Sequence, residues 1–510
     1  MKNLIKVLTS RLFFVGIMII IQLLLVTLMI VRLSEYIVYF YTIFVIISIL
    51  VVLNIIDKDV NPSYKLAWVI PILAFPVIGG LLYLYLGIDR MSKKGIKASK
   101  EIHSNTVSLL KQDEHTFSEI EKRDRDVANQ CRYISRFCNY PIYKNTSSKY
   151  FPIGEDVFKE LIQELEKARS FIFLEYFIIQ EGEMWNSILN ILERKVKEGV
   201  EVRIIYDDVG CISKLPYGYN DKLNNLGISC RVFNPFVPLV SARHNNRDHR
   251  KIAVIDGNTG FCGGINLADE YINRVVRFGH WKDTAVMLKG QAVWSLTVMF
   301  LQMWRMSGGA KEDVNKYRPL PLGEELQQDG YVQPYGDSPG DGETVGEQVY
   351  INLLNKAKNY VYISTPYFVV DNEILNAITL AAKDGVDVRI MLPHIPDKVY
   401  VHAVAKSYYA QLLRAGVRVY EYTPGFNHSK TFVSDDKLGT VGTINLDYRS
   451  LYLHFECGVL LYDTEAVMSI KQDFMDTLQV CHEITLEDCS RVKWYTGITR
   501  SILKVFAPLM

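Results

Sequence analysis

Histidine and lysine two residues apart, with aspartate five residues further on, occur twice in this chain: His249-Arg250-Lys251-Ile252-Ala253-Val254-Ile255-Asp256 and His428-Ser429-Lys430-Thr431-Phe432-Val433-Ser434-Asp435. An imidazole can serve as nucleophile or as general acid and base, and an ammonium can neutralise an oxygen on which charge builds in a transition state. Together they suit displacement at a phosphodiester. On an extended strand, residues two apart share a face, so His249 and Lys251 project together, as do His428 and Lys430. A single such histidine is ordinarily a satisfied polar group. The same pair in both copies predicts one pocket, formed about a pseudo-twofold axis, holding two imidazoles and two ammoniums.

Asp256 and Asp435 point to the opposite face from the lysines and are expected to brace the site without touching phosphate. After six further residues each copy reaches a Gly-rich turn ending in asparagine, Gly263-Gly264-Ile265-Asn266 and Gly442-Thr443-Ile444-Asn445. Asn266 and Asn445 are therefore candidates to hydrogen-bond the non-bridging oxygens. A catalytic imidazole also needs a partner on its second nitrogen, best a carboxylate, to fix its tautomer. The candidates are Glu456, 28 residues after His428, and Asp283, 34 residues after His249.

The elements that must position these residues also repeat. Lys167-Ala168-Arg169-Ser170-Phe171-Ile172-Phe173-Leu174 matches Lys356-Ala357-Lys358-Asn359-Tyr360-Val361-Tyr362-Ile363. Gly199-Val200-Glu201-Val202-Arg203-Ile204-Ile205 matches Gly385-Val386-Asp387-Val388-Arg389-Ile390-Met391, and Leu226-Gly227-Ile228 begins a third strand as Ala415-Gly416-Val417 does. Amphipathic helices are predicted over 186–197 and 372–383. Each half thus reads β-α-β-α-β followed by the H-x-K strand. Apolar strands alternating with helices predict an α/β sheet covered on both faces.

The remaining composition bounds the partners. Lys+Arg 57 against Asp+Glu 56 leaves a formal charge of +1 over 510 residues, without the basic excess that nucleic acid would favour. No G-x-x-x-x-G-K-[ST] loop is present for a nucleotide. The eight cysteines have no metal-ligand spacing and are expected to be reduced, mostly buried thiols, so neither metal nor cofactor is expected. Three segments, 12–31, 36–56 and 66–88, meet the bilayer criterion of roughly 20 apolar residues. The third contains Pro71, Pro76, Gly79 and Gly80 and reads as a kinked span or a re-entrant hairpin. Arg90, Lys93, Lys94, Lys97 and Lys100 follow it directly, which by the positive-inside rule puts the large C-terminal part in the cytoplasm. The expected division is a membrane anchor with two or three crossings over 1–90, a helical linker over 91–145, and two lobes over 146–330 and 331–510. Residues 491–510 form an amphipathic tail, either for a membrane surface or for packing on the domain.

The chain resembles the phospholipase D superfamily, whose duplicated H-x-K-D motif it carries in full, and within it the bacterial cardiolipin synthases. The likeness extends through Asn61-Pro62-Ser63-Tyr64-Lys65, Leu174-Glu175-Tyr176-Phe177, Trp281-Lys282-Asp283-Thr284, Thr365-Pro366-Tyr367-Phe368 and Asn445-Leu446-Asp447-Tyr448-Arg449-Ser450. One departure stands out: Leu453-His454-Phe455-Glu456 replaces the L-N-F-E usual in such synthases. The resemblance implies two pseudo-symmetric lobes sharing one active site. It also implies phosphatidyl transfer from one phosphatidylglycerol to another at the cell membrane, giving cardiolipin and glycerol through a phosphohistidine. By the same analogy His249 is the nucleophile and His428 the acid, then the base.

Overall fold

The computed structural model describes residues 37–87, 93–236, 245–319 and 329–510, with 20, 23, 24 and 27; in the first helix, Ile37–Asp57, side chains are described continuously from Tyr41 on. The first lobe contains β1 (Thr146–Phe151), β2 (Phe171–Tyr176), β3 (Glu201–Asp207), β4 (Ser229–Phe233), β5 (Lys251–Ile255), β6 (Thr259–Gly263), β7 (His280–Lys282) and β8 (Ala285–Gly290). The second contains β9 (Tyr331–Asp337), β10 (Tyr360–Ser364), β11 (Phe368–Val369), β12 (Asp387–Pro393), β13 (Arg418–Tyr422), β14 (Gly425–Asn427), β15 (Thr431–Ser434), β16 (Leu438–Gly442), β17 (Leu446–Asp447), β18 (Glu456–Tyr462) and β19 (Cys481–Glu483).

The two large sheets share one topology. The first is ordered β1-β8-β6-β5-β2-β3-β4; the second, read in the same direction, is β9-β18-β16-β15-β10-β12-β13, with β19 added at its edge. In each, three strands are parallel and the H-x-K strand returns antiparallel beside the first of them, β5 on β2 and β15 on β10. The sheets are therefore mixed, because the H-x-K strand follows an excursion that reverses its direction. The predicted helices form over Glu183–Lys197 and Asn372–Lys383. Helix Val293–Met306 is buried from Val293 through Trp304, and one apolar core joins it to Phe173 and Val254 of the first sheet and Val332, Val361 and Val459 of the second. The lobes thus meet through core, which fixes the mutual position of their H-x-K strands.

The stretch expected as a linker is helical over Lys93–Val107, Glu114–Arg123 and Arg125–Phe137. It is also packed, with Ile120, Val127, Cys131 and Ile134 in that same core. All eight cysteines are free thiols, six of them buried.

Of the three apolar segments, 12–31 lies outside the described residues except at 20, 23, 24 and 27. The third is not one span. It breaks at Phe75 into Pro62–Ala74 and Pro76–Leu86, since Pro76 has no N–H to continue the ladder and disfavours helical geometry in the residue before it. At 13 and 11 residues these helices reach about 20 and 17 Å. Among the described residues, no helix is long and apolar enough to cross a membrane. The N-terminal helices nevertheless expose Ile46, Leu50, Leu53, Leu66, Ile70 and Leu73. The C-terminal helix Trp494–Phe506 packs beside Val399–Arg414, yet leaves Trp494, Ile498 and Ile502 exposed, so both readings of the tail have a physical basis.

Candidate active site

The two H-x-K segments are held by each other's lobe. His249 N donates to Phe455 O at 2.9 Å, and Phe455 N donates to Arg247 O at 2.8 Å. On the opposite side β14, leading into His428, pairs in parallel with β7 of the first lobe, and His428 N donates to Lys282 O at 2.7 Å. Each histidine thus enters beside the strand that carries the other lobe's carboxylate.

The consequence is a crossed pairing of imidazoles and acids. His249 Nδ1 lies 2.9 and 3.0 Å from the two oxygens of Glu456, and His428 Nδ1 lies 2.6 Å from Asp283 Oδ2. The sequence offers the right two carboxylates, but their distances along the chain suggest the pairing within one lobe. In both pairs Nδ1 is occupied, which leaves Nε2 for chemistry.

All four basic residues are buried. Burial pushes His249 well below the ordinary imidazole range, helped by the positive fields of Lys251, Lys430 and His428. His428 falls to about 4, from burial and then Lys430, with Asp283 opposing. Burial also lowers Lys251 to about 8 and Lys430 to about 7. Each H-x-K pair feels the charge of the other, and the two lysines supply the positive charge that an anion would meet there. Lys251 Nζ donates to His249 O at 2.5 Å, and Lys430 Nζ lies 2.8 Å from His428 Nδ1.

Asp256 and Asp435 stand away from the imidazoles and make matching caps. Asp256 accepts from the backbone N–H groups of Arg169, Ser170 and Phe171 at 2.7–2.9 Å; Asp435 accepts from those of Lys358, Asn359 and Tyr360 over the same range. Each has φ +53°, a left-handed turn that aspartate tolerates better than most residues. They tie the end of the H-x-K strand to the start of its neighbour.

The asparagines are less available to phosphate than their position suggests. Asn266 Oδ1 accepts from Ile178 N at 2.9 Å and its Nδ2 donates to Tyr271 Oη at 2.7 Å; Asn445 Nδ2 donates to Ser450 Oγ at 3.1 Å. Each amide retains a second N–H.

Residue spacing does not single out several neighbours of the site. Phe177 packs edge-on to His249 at 5.1 Å, while Trp281, Phe426 and Tyr271 surround His428 at 5.4–5.7 Å. Thr443 Oγ1 donates to Glu456, and Arg449 Nε donates to His454 Nε2 at 3.3 Å. His454, the departure from L-N-F-E, has its ring 5.5 Å from that of His249. The repeat itself could reveal one asymmetry: Thr443 in one turn corresponds to Gly264 in the other, just as Glu456 corresponds to Asp283.

The family model described as cardiolipin synthase, PLD-like domain, matches residues 161–304 and 350–478. The one described as phospholipase D-nuclease N-terminal matches 39–87. An uncharacterized protein of Streptococcus mutans is 45% identical over 90% of this chain and 99% of its own length. Cardiolipin synthases of Halalkalibacterium halodurans and Geobacillus kaustophilus are 35% and 34% identical, over 88% and 91% of this chain and 90% and 92% of theirs. Among solved structures, phosphatidylserine synthase of Haemophilus influenzae superposes with TM-score 0.56 at 15% identity, covering 74% of this chain and 97% of that one, a likeness of fold. With the duplicated motif and the matching sheet order, these relatives establish that the chain belongs to the cardiolipin synthase family of the phospholipase D superfamily.

Proposed function

We propose that this enzyme transfers a phosphatidyl group from one phosphatidylglycerol to the free hydroxyl of another, forming cardiolipin and glycerol through a phosphohistidine. The crossed carboxylate pairing is the observation that carries this reading, because it leaves two equivalent Nε2 atoms for one phosphorus. His249 Nε2 attacks phosphorus, the P–O bond to the departing glycerol breaks, and His428 gives that oxygen its proton. His428 then takes the proton from the incoming lipid hydroxyl, whose oxygen displaces His249 from phosphorus. In the free site burial disfavours the imidazolium. The anionic phosphodiester favours it, so substrate itself helps place the proton on His428. Lys251 and Lys430 neutralise the non-bridging oxygens, with the spare N–H groups of Asn266 and Asn445 as further donors. One phosphodiester replaces another, so no nucleotide is needed.

The exposed apolar side chains of the N-terminal helices suit attachment to a membrane, where the lipid acceptor is concentrated relative to a dilute solute. Lys97 and Lys100, after those helices, favour lobes on the cytoplasmic side. The proposed organisation is an anchor over 1–90, a helical connector over 91–145 that is also packed on the lobes, and catalytic lobes over 146–330 and 331–510.

Incubating purified enzyme with phosphatidylglycerol and no nucleotide tests the reading. Cardiolipin and glycerol in equal amounts are expected, with loss of both in His249→Ala and His428→Ala. Phosphatidic acid as the main product would instead identify a hydrolase.

A further inference from the structure

Apart from the reacting site, a half-open cavity of about 730 Å³ lies between the N-terminal helices and the second lobe. Lys58, Lys65, Trp68 and Tyr83 form one wall, Lys100 borders it, and the turn 337–344 with segment 451–454 forms the other. Sites for small ligands are typically about 300–1,000 Å³.

Trp68 Nε1 and Ser338 Oγ are buried, belong to residues bordering the cavity, and have no hydrogen-bond partner within the protein. Trp68 as a whole is only 8% exposed. Buried polar atoms nearly always find a partner, so two of them around one space point to a polar occupant.

The charges indicate its sign. Lys58 Nζ donates to Tyr83 Oη at 2.6 Å and Lys65 Nζ to Ile56 O at 2.8 Å, both neutral oxygens. The acids opposite are engaged by protein donors: Asp341 by Glu343 N at 3.0 Å, Glu343 by Tyr133 Oη at 3.0 Å, and Asp337 by Gly346 N at 2.7 Å. On the side of the N-terminal helices Lys58, Lys65 and Lys100 outnumber Asp59, so positive charge is in excess there. Ile55, Tyr64 and Ile96 also line the cavity and give it an apolar border where acyl chains can begin.

We propose that this cavity binds the phosphate and glycerol of an anionic glycerophospholipid that is not the one reacting. The reacting phosphorus must approach His249 Nε2, whereas the cavity borders His454, which lies 3.6 Å from Glu456 on the Nδ1 side. The lipid is a resident one. Segment 451–454 carries Tyr452, which accepts from Asn61 Nδ2 at 2.9 Å, and continues directly into Glu456, so the occupied cavity ties the N-terminal helices to the strand that orients His249.

The test is equilibrium binding of radiolabelled dioleoylphosphatidic acid to the detergent-solubilised full chain. Its phosphorus carries no second ester and so no headgroup alcohol to release, and it is not a phosphatidyl donor. Binding is read in the Lys251→Ala/Lys430→Ala background, where the reacting site has lost its positive charge, and one lipid per chain is expected there. Affinity should fall at least about tenfold in Lys58→Glu/Lys100→Glu. It should fall several-fold in Ser338→Ala, which deletes only the buried hydroxyl and decides the matter should the charge-reversed variant fail to fold. Equal affinity in the cavity variants, or loss of the lipid in Lys251→Ala/Lys430→Ala, overturns the proposal. Binding is read without turnover, so its failure leaves the transfer reading untouched.

Discussion

His249 and Glu456 lie 207 residues apart in the chain, yet the imidazole Nδ1 is 2.9 Å from the carboxylate. The orienting acid of each histidine comes from the opposite lobe, so neither lobe holds a finished catalytic pair. Asp283 stands to His428 in the same relation, at 2.6 Å. An active site assembled in this way is sensitive to how the lobes are seated on each other.

Glu456→Gln and Asp283→Asn keep the shape of each side chain but let the amide present an N–H to the imidazole, which favours the wrong tautomer. Each is expected to lower kcat about 10²- to 10⁴-fold, by analogy with amide replacement in a catalytic triad. Thermal midpoints should change little. A transfer assay paired with a melting curve checks both, and wild-type turnover in either variant would sink the tautomer argument.

Asp256→Ala and Asp435→Ala should behave in the opposite way. Each deletes an acceptor for three backbone N–H groups at a left-handed turn. The expected loss is about 1–3 kcal/mol of stability, with kcat per folded molecule reduced much less than in the Glu456 variant. Denaturant unfolding monitored beside activity separates the two effects.

The contrast between those pairs shows what the sequence makes legible. The H-x-K spacing leads to the expectation of imidazole and ammonium on one face, and Asp256 and Asp435 brace the fold as expected of them, but from left-handed turns just past the strands that alternation alone does not reveal. The repeated β-α pattern likewise anticipates two sheets of one topology. The exchange of Glu456 and Asp283 between lobes is a tertiary fact, and two similar repeats are compatible with either pairing until β7 meets β14. Asn266 is a different case: its turn is recognisable, but local sequence does not reveal that Ile178 N and Tyr271 Oη engage its amide. The third apolar segment has the hydropathy of a span, while Pro76 determines its break into two helices.

Substrate capture should weaken as pH rises. Lys430 and Lys251 are lowered to about 7 and about 8 in the free site, chiefly by burial, and only their protonated forms attract the phosphodiester. Raising pH through that range removes the charge, so kcat/KM should decline there. Bound substrate is an anion and raises both lysines, so kcat should hold to higher pH than kcat/KM. Steady-state rates across pH 6 to 10 give the comparison; kcat/KM still climbing above about pH 8 would contradict it.

Gly264 leads to the most local prediction. A Cβ there would lie 2.0 Å from Asp283 Oδ1, and the corresponding residue in the other turn is Thr443, whose hydroxyl donates to Glu456. The shorter acid is thus matched with a bare backbone and the longer one with a hydroxyl. Gly264→Ala must push the Asp283 carboxylate off His428, and a misplacement on the order of 1 Å can lower turnover about 10²-fold. Thr443→Ala removes one donor but leaves Glu456 on His249, so its effect on kcat should be clearly smaller. If Thr443→Ala proves the more damaging of the two, the seating of the carboxylates is not what sets the rate.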